Sequence, residues 1–142
     1  MKKFLTILLV GILAVCCVAM SACKKPEAEA AVYKTYTLTI NGAEYALGDT
    51  VPGELISETA FVLTENFAVL EFNADGTVVS KTNGEAYNGN MTWTKDANAY
   101  TITETKVVNG ETKTETTICA IDGEYITVEA VPGFLSYKLK KA

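Results

Sequence analysis

Apolar and polar residues alternate along most of the chain after residue 33, and short turn motifs interrupt this alternation at close intervals. Most of the turns contain an Asn-Gly or Asp-Gly pair, as in INGA, TNGE, VNGE and IDGE. These pairs favour two-residue hairpins, because a type I′ turn needs positive φ at both central residues. The pattern predicts an all-β domain built as an antiparallel up-and-down meander.

Each turn also predicts which residues pair across two strands, and paired residues share one face of the sheet. A two-residue loop at 122–123 pairs Cys119 with Ile126, and a four-residue loop at 95–98 pairs Trp93 with Tyr100. The separate turns agree on one apolar face, which collects Leu70, Phe72, Val78, Tyr87, Met91, Trp93, Tyr100, Ile102, Cys119, Ile121, Ile126, Val128, Leu135, Tyr137 and Leu139. The opposite face is polar and rich in threonine. To cover the apolar face, the sheet either curls into a closed barrel, which we expect, or folds over as a sandwich.

The first hairpin and the segment that follows it are less regular. The hairpin around INGA places apolar residues on one side, where we expect them to join the same core: Tyr36, Leu38, Ile40, Tyr45 and Leu47. Residues 48–66 lack a clear period, and part of ELISETAFVL is a candidate for a short helix that caps one end of the barrel.

The N-terminus has the layout of an export signal, with Lys2 and Lys3 followed by an apolar run from Phe4 to Met20. The alternative is an uncleaved anchor helix, although a comfortable membrane span needs roughly 20 apolar residues. Both interpretations place the domain outside the cytoplasm, because the two lysines favour the inner side of the membrane.

The apolar run ends in Met-Ser-Ala-Cys, which resembles the bacterial lipobox. This resemblance implies that Cys23 receives a diacylglycerol thioether and becomes the mature N-terminus. Two acyl chains are enough for stable attachment to a membrane. The predicted organisation is a lipoprotein signal peptide over 1–22, the lipidated cysteine and a tether over 23–32, and the β-barrel domain over 33–142. The membrane that holds the anchor is either the cell membrane or an outer membrane.

Composition narrows the possible chemistry. The chain has 12 basic residues, all of them lysine, 17 acidic residues and a net charge of -5. This balance disfavours nucleic-acid binding, which depends on cations that displace counterions from phosphates. The sequence has no histidine, which excludes Ser-His-Asp triads and histidine metal sites within the chain. Nothing marks a catalytic carboxylate pair or converging metal ligands, so we expect no enzyme activity, no metal site and no cofactor.

Three short pieces within FAVLEFNADGTVVSKTNGEAYNGNMTWTKDANAYTIT follow one another in a recognisable order: Asp75-Gly76-Thr77, Met91-Thr92-Trp93 and Tyr100-Thr101-Ile102-Thr103. This arrangement resembles the core of the lipocalin-like domains of bacterial lipoproteins, over roughly residues 33–141. The resemblance implies a small lipocalin-like β-barrel after the signal and lipobox helix. It carries no catalytic motif.

The aromatic and flexible residues of the apolar face are the candidate binding residues. They are expected to line a cavity for a small apolar ligand, as eight-stranded barrels can hold one small molecule: Tyr87, Met91, Trp93, Tyr100 and Tyr137. Ser80 and Gly89 would leave space beside them. In the alternative, these side chains fill the barrel, and the domain is a non-catalytic protein-interaction or structural module of the cell envelope. The sequence leaves the oligomeric state open.

Overall fold

A computed structural model describes residues 29–142, so the predicted signal peptide and Cys23 lie outside the described residues. Residues 29–142 contain no helix, and hence none in this range could cross a membrane. The first strand begins at Ala31, two residues before the predicted domain boundary. The strands are β1 (Ala31–Ile40), β2 (Ala43–Ala46), β3 (Thr50–Val51), β4 (Phe61–Val62), β5 (Ala68–Phe72), β6 (Val78–Thr82), β7 (Glu85–Ala86), β8 (Asn90–Lys95), β9 (Ala99–Val108), β10 (Glu111–Asp122), β11 (Tyr125–Val131) and β12 (Leu135–Lys141).

The predicted all-β, antiparallel architecture is confirmed. Ten strands form one curled, half-barrel sheet in the order β7-β6-β5-β1-β12-β11-β10-β9-β8, with β2 added to β1, while β3 and β4 pair separately. The first strand pairs with both β5 and the last strand, β12. The strand order ends at β7 and β8, and an isolated bridge between Thr77 and Thr92 joins the chain near these two ends.

The Asn-Gly turns have the predicted geometry. Asn41, Asn83 and Asn109 have φ of 48°, 51° and 52°, and the glycine after each also has positive φ. This is the type I′ conformation that matches the twist of the flanking strands. The pairing of Val108 with Glu111 follows directly, as predicted.

The turn between β10 and β11 lies one residue later than predicted. Cys119 pairs with Val128 and not with Ile126. Gly123, with φ of 60°, is the first central residue of the turn, and the following Glu124 has no positive φ. One left-handed residue at that position is the type II′ pattern. The register therefore moves by two residues, which leaves every side chain on its predicted face.

The loop between β8 and β9 is displaced in the same way. Trp93 pairs with Ile102 and not with Tyr100. The cause is Asp96, whose Oδ1 accepts hydrogen bonds from the backbone N–H groups of Asn98 (2.7 Å) and Ala99 (2.9 Å). This turn, held by an aspartate side chain, places the four-residue loop at 96–99. The predicted loop length is correct, and the predicted position is wrong by one residue.

A β-bulge in β1 changes which positions face inward, from Ala31, Tyr33 and Thr35 before it to Leu38 and Ile40 after it. Thr35 pairs with Leu139 and Thr37 with Lys138, so Tyr36 is the extra residue. The buried Thr35 Oγ1 accepts the Ala68 N–H and donates to the Ala68 carbonyl, both at 2.8 Å. These bonds replace strand pairing at the point where β1 leaves β5. Tyr36 is 41% exposed, so its predicted place in the core is wrong.

Residues beyond the bulge form a second hydrophobic cluster, centred on Leu38, Ile40, Val51 and Leu63. The expectation that the first hairpin joins the main core is therefore wrong, and Leu47 is exposed. The helix expected within ELISETAFVL is absent, since residues 54–63 contain bends and the short strand β4. The positive φ of Glu54, 77°, is incompatible with a right-handed helix at that position.

Candidate ligand site

One end of the half-barrel is filled by four aromatic side chains. The Phe72 and Tyr100 rings are stacked, with centroids 4.0 Å apart. The Tyr33 and Trp93 rings meet Phe72 edge-on, at 5.9 Å and 5.5 Å. Edge-to-face and offset-stacked arrangements are the favourable geometries for aromatic pairs. These four residues, which we call the filled end, are all buried.

The polar atoms of the filled end are also satisfied. The hydroxyls of Tyr33 and Tyr100 lie 3.2 Å apart and share a hydrogen bond. Trp93 Nε1 donates to the carbonyl of Asn73 at 2.9 Å. Burial, reinforced by the bond to Tyr100, raises the pKa of Tyr33 to about 12. Each buried side-chain polar atom of the filled end therefore has a hydrogen-bond partner.

On β5 and β6, the side chains of the inner face are smaller toward the other end of the strands. In β5, the series along the inner face runs from Phe72 through Leu70 to Ala68. In β6, Val78 is followed by Ser80 and then by Thr82. The result is a cleft of about 190 Å³, which we call the open end, lined by Ala68, Val69, Leu70, Ser80, Thr82, Met91, Ile102, Thr117, Val128, Glu129, Ala130 and Tyr137.

Eight of the twelve lining residues of the open end are apolar, and the other four are Ser80, Thr82, Thr117 and Glu129. Met91, Ile102 and Val128 supply hydrocarbon and thioether surface, whereas Ser80 and Thr117 supply hydroxyl groups. Tyr137 is half-buried, and this burial raises the pKa of its hydroxyl. A concavity of apolar side chains with a few hydroxyl groups and one carboxylate, that of Glu129, suits a small apolar ligand that carries a polar atom.

The five predicted binding residues fall into three different places. Met91 and Tyr137 line the open end. Trp93 and Tyr100 belong to the filled end, where they contact other aromatic rings. Tyr87 is 52% exposed and lies outside both. The structure therefore brings together two of the five predicted residues in one cleft.

The backbone N–H of Tyr87 donates to the Ser80 carbonyl at 2.8 Å, but the Tyr87 side chain is exposed and does not join the inner face. Its hydroxyl donates to Glu104 Oε1 at 2.6 Å, and this bond raises the pKa of Tyr87. The ring lies close to Gly89, where a Cβ atom would be 3.0 Å from Tyr87 Cδ1 and 3.1 Å from Glu104 Oε1. Gly89 thus makes space for Tyr87 and Glu104, and it does not contribute to the open end.

Ten of the twelve lining residues were not among the five predicted binding residues, and five of these ten are small: Ala68, Ser80, Thr82, Thr117 and Ala130. These small residues could have been found in the sequence because they lie at inner-face positions of neighbouring strands. Ala68 pairs directly with Thr82, and two small residues opposite each other leave room in a lumen.

Cys119 is fully buried, and it pairs with Tyr100 of the filled end on one side and with Val128 of the open end on the other. Burial raises the pKa of its thiol to about 12, so the reactive thiolate is scarce at neutral pH. Within residues 29–142, no three histidine, cysteine, aspartate or glutamate side chains group together as a metal site would require.

Comparison with known proteins gives no relatives: no family model, no curated protein and no solved structure matches the chain.

Proposed function

We propose that the chain is a membrane-anchored extracytoplasmic lipoprotein whose half-barrel holds a small apolar ligand in the open end. The observation that carries this proposal is the mainly apolar cleft of about 190 Å³ beside a filled core. A cavity of about 150 Å³ lined by apolar side chains can bind benzene. The cleft therefore suits a ligand of the size of one ring or a short alkyl segment.

The position of the cleft supports an anchored arrangement. The chain enters the sheet at Ala31, which pairs with Phe72 at the filled end. The cleft lies at Ala68, at the opposite end of β5. A lipid on Cys23 would therefore join the body at the filled end, through seven residues that reach about 23 Å when extended. The cleft would face away from the attachment point.

The proposal includes a lipocalin-like barrel, in which the two ends of the sheet complete a ring. The pairing of β1 with β12 supports this topology, because a closed meander joins its first and last strands. The bridge of Thr77 with Thr92 and the hydrogen bond from the Trp93 N–H to the Gly76 carbonyl, 3.0 Å, support contact on the opposite side.

Native mass spectrometry of the chain, extracted from the host envelope in mild detergent, tests ligand binding. We expect one added mass that is lost on denaturation. Ser80→Leu should remove it by filling the cleft, and Ser136→Leu, on the outer face, should retain it. A clean mass for the unaltered chain, or equal loss in both variants, would contradict the binding site.

Metabolic labelling with palmitate tests the anchor separately. The unaltered chain should incorporate the label, and Cys23→Ser should not. Cys17→Ser is the matched control, because Cys17 does not follow two small residues, and it should remain labelled. Label in the Cys23→Ser variant would contradict the assigned lipidation site.

The alternative function, a non-catalytic envelope module that binds proteins, is favoured by the filled end. Tyr33, Phe72, Trp93 and Tyr100 occupy much of the lumen, which leaves less space than a transport barrel needs. A clean native mass together with normal lipidation would favour this second candidate.

A further inference from the structure

The hairpin of β9 and β10 extends beyond the strands on both sides of it. On one side, β8 pairs with β9 as far as Thr105. On the other side, β11 pairs with β10 only between Cys119 and Asp122. All residues from Glu111 to Ile118 are exposed. Within the described part of the chain, this stretch of β10 therefore has β9 as its single neighbouring strand.

An unpaired edge of this kind presents a row of backbone N–H and C=O groups. Such an edge accepts an additional strand unless charged side chains, prolines or bulges prevent it. The edge from 111 to 118 contains no proline, and its pairing with β9 is regular over ten residue pairs, without a bulge. The backbone is thus suited to accept a strand, and the side chains decide which one.

The charges of the edge are poorly matched within the hairpin. Lys113 lies directly opposite Lys106, and Glu115 lies directly opposite Glu104. Like charges at directly opposed positions are destabilising. A diagonal ion pair, Lys106 Nζ to Glu115 Oε2 at 2.9 Å, relieves part of this mismatch. Among the described residues, no carboxylate lies within ion-pairing distance of Lys113.

We infer that two copies of this chain associate through the β10 edge, as antiparallel strands related by a two-fold axis at Thr114. In this register, Lys113 of each copy lies opposite Glu115 of the other, which creates two ion pairs. On the other face, Thr112 meets Thr116, and threonine pairs are favourable across strands. Axes at Lys113 or at Glu115 would instead place identical charges opposite each other.

Disulfide trapping tests the register in the full chain in the host envelope. Paired Cα atoms in antiparallel strands are about 4.5–5.5 Å apart, within the range of a disulfide. Thr114→Cys should therefore form a covalent dimer on a non-reducing gel. Thr116→Cys is the matched control, because its two copies would lie about 13 Å apart, four residues along the strands. The unaltered chain gives the background from the native cysteines.

Charge exchange tests the ion pairs independently of folding. Lys113→Glu would convert both attractive pairs into repulsive ones, and we expect at least a tenfold weaker dimer by analytical ultracentrifugation. The double exchange, Lys113→Glu with Glu115→Lys, should restore the dimer. It also places opposite charges across from Lys106 and Glu104, so the hairpin keeps its support.

The proposal is overturned if Thr114→Cys gives no more dimer than Thr116→Cys, or if the double exchange fails to restore what Lys113→Glu removes. Crosslinking of Thr114→Cys to a different protein, with no self-dimer, would assign the edge to that protein and also overturn the proposal.

Discussion

The two ends of the half-barrel lumen are built on the same strands but differ in the size of their side chains. At the filled end, aromatic rings approach to 4.0 Å between centroids, and their polar atoms are paired. At the open end, small residues leave a cleft of about 190 Å³. The strands are continuous from one end to the other, so side-chain volume, and not topology, separates the stabilising part of the lumen from the candidate binding part.

The largest difference between the ends should appear in stability. Phe72→Ala would leave a cavity in the filled end and should lower the free energy of unfolding by about 3–5 kcal/mol. Met91→Ala, at the half-buried open end, should lower it by about 1 kcal/mol. Urea unfolding followed by Trp93 fluorescence measures both values. Equal losses would contradict the division of the lumen into two parts.

At high pH, the raised pKa values of the buried Cys119 and Tyr33 should lower the stability of the folded domain. Burial raises the pKa of Cys119 from 9.0 to about 12 and that of Tyr33 from 10.0 to about 12. The unfolded chain therefore loses these protons first, and stability falls as pH rises from 9 to 12. Cys119 contributes at most about 1.4 kcal/mol per pH unit to this slope.

The matched variant for the pH experiment is Cys119→Ala, whose stability should fall less steeply over the same pH range. Circular dichroism during urea unfolding at each pH gives the slope. Parallel curves for the two proteins would show that Cys119 does not contribute.

Ligand affinity should depend on the open end and be independent of the filled end. Tyr137→Ala removes one wall of the cleft, and we expect about a tenfold loss of affinity for the co-purified ligand. Trp93→Phe removes the bond to Asn73 and costs stability, but should leave the affinity within about twofold. Isothermal titration with the identified ligand measures both affinities. A larger effect of Trp93→Phe would move the site into the filled end.

The smallest expected effect is a change in the pKa of Tyr87, whose hydroxyl donates to Glu104 outside both ends of the lumen. Gly89→Ala would push the Tyr87 ring away from Glu104, so the pKa of Tyr87 should fall toward its ordinary value. NMR titration of the tyrosine ring carbons measures this pKa, and Glu104→Gln should produce the same fall. Ligand affinity should be unchanged. An unaltered Tyr87 pKa would show that the ring tolerates the added methyl group.

Much of the fold could be predicted because successive residues of a strand point to opposite faces of the sheet. A register shift of two residues therefore keeps each side chain on its face. The turns at Gly123 and Asp96 lie one residue from their predicted positions. Each displacement shifts the register by two residues and preserves the buried face. The bulge at Tyr36 was not predictable in this way, since it depends on the contact between Thr35 and Ala68, 33 positions apart in sequence.

The candidate site was predictable only in part for a different reason. Periodicity places Trp93 and Met91 on the same face, but it does not reveal that the rings of Phe72 and Tyr100, from two other strands, pack against Trp93. The space in the cleft depends on the summed volumes of residues at one level of the lumen, such as Ala68 and Thr82. This sum requires the register of all the strands at once.

Tyr137 packs against both hydrophobic clusters, the main core and the cluster of Leu38, Ile40, Val51 and Leu63. Leu38 and Ile40 of β1 already join the β3–β4 segment to the main sheet, and Tyr137 connects this second cluster to the main core. Backbone amides of Val51 and Leu63 should exchange with deuterium at rates that follow global unfolding. With Tyr137→Ala, the amides of Val51 and Leu63 should exchange faster relative to those of the main core, because the side chain that connects the two clusters is lost.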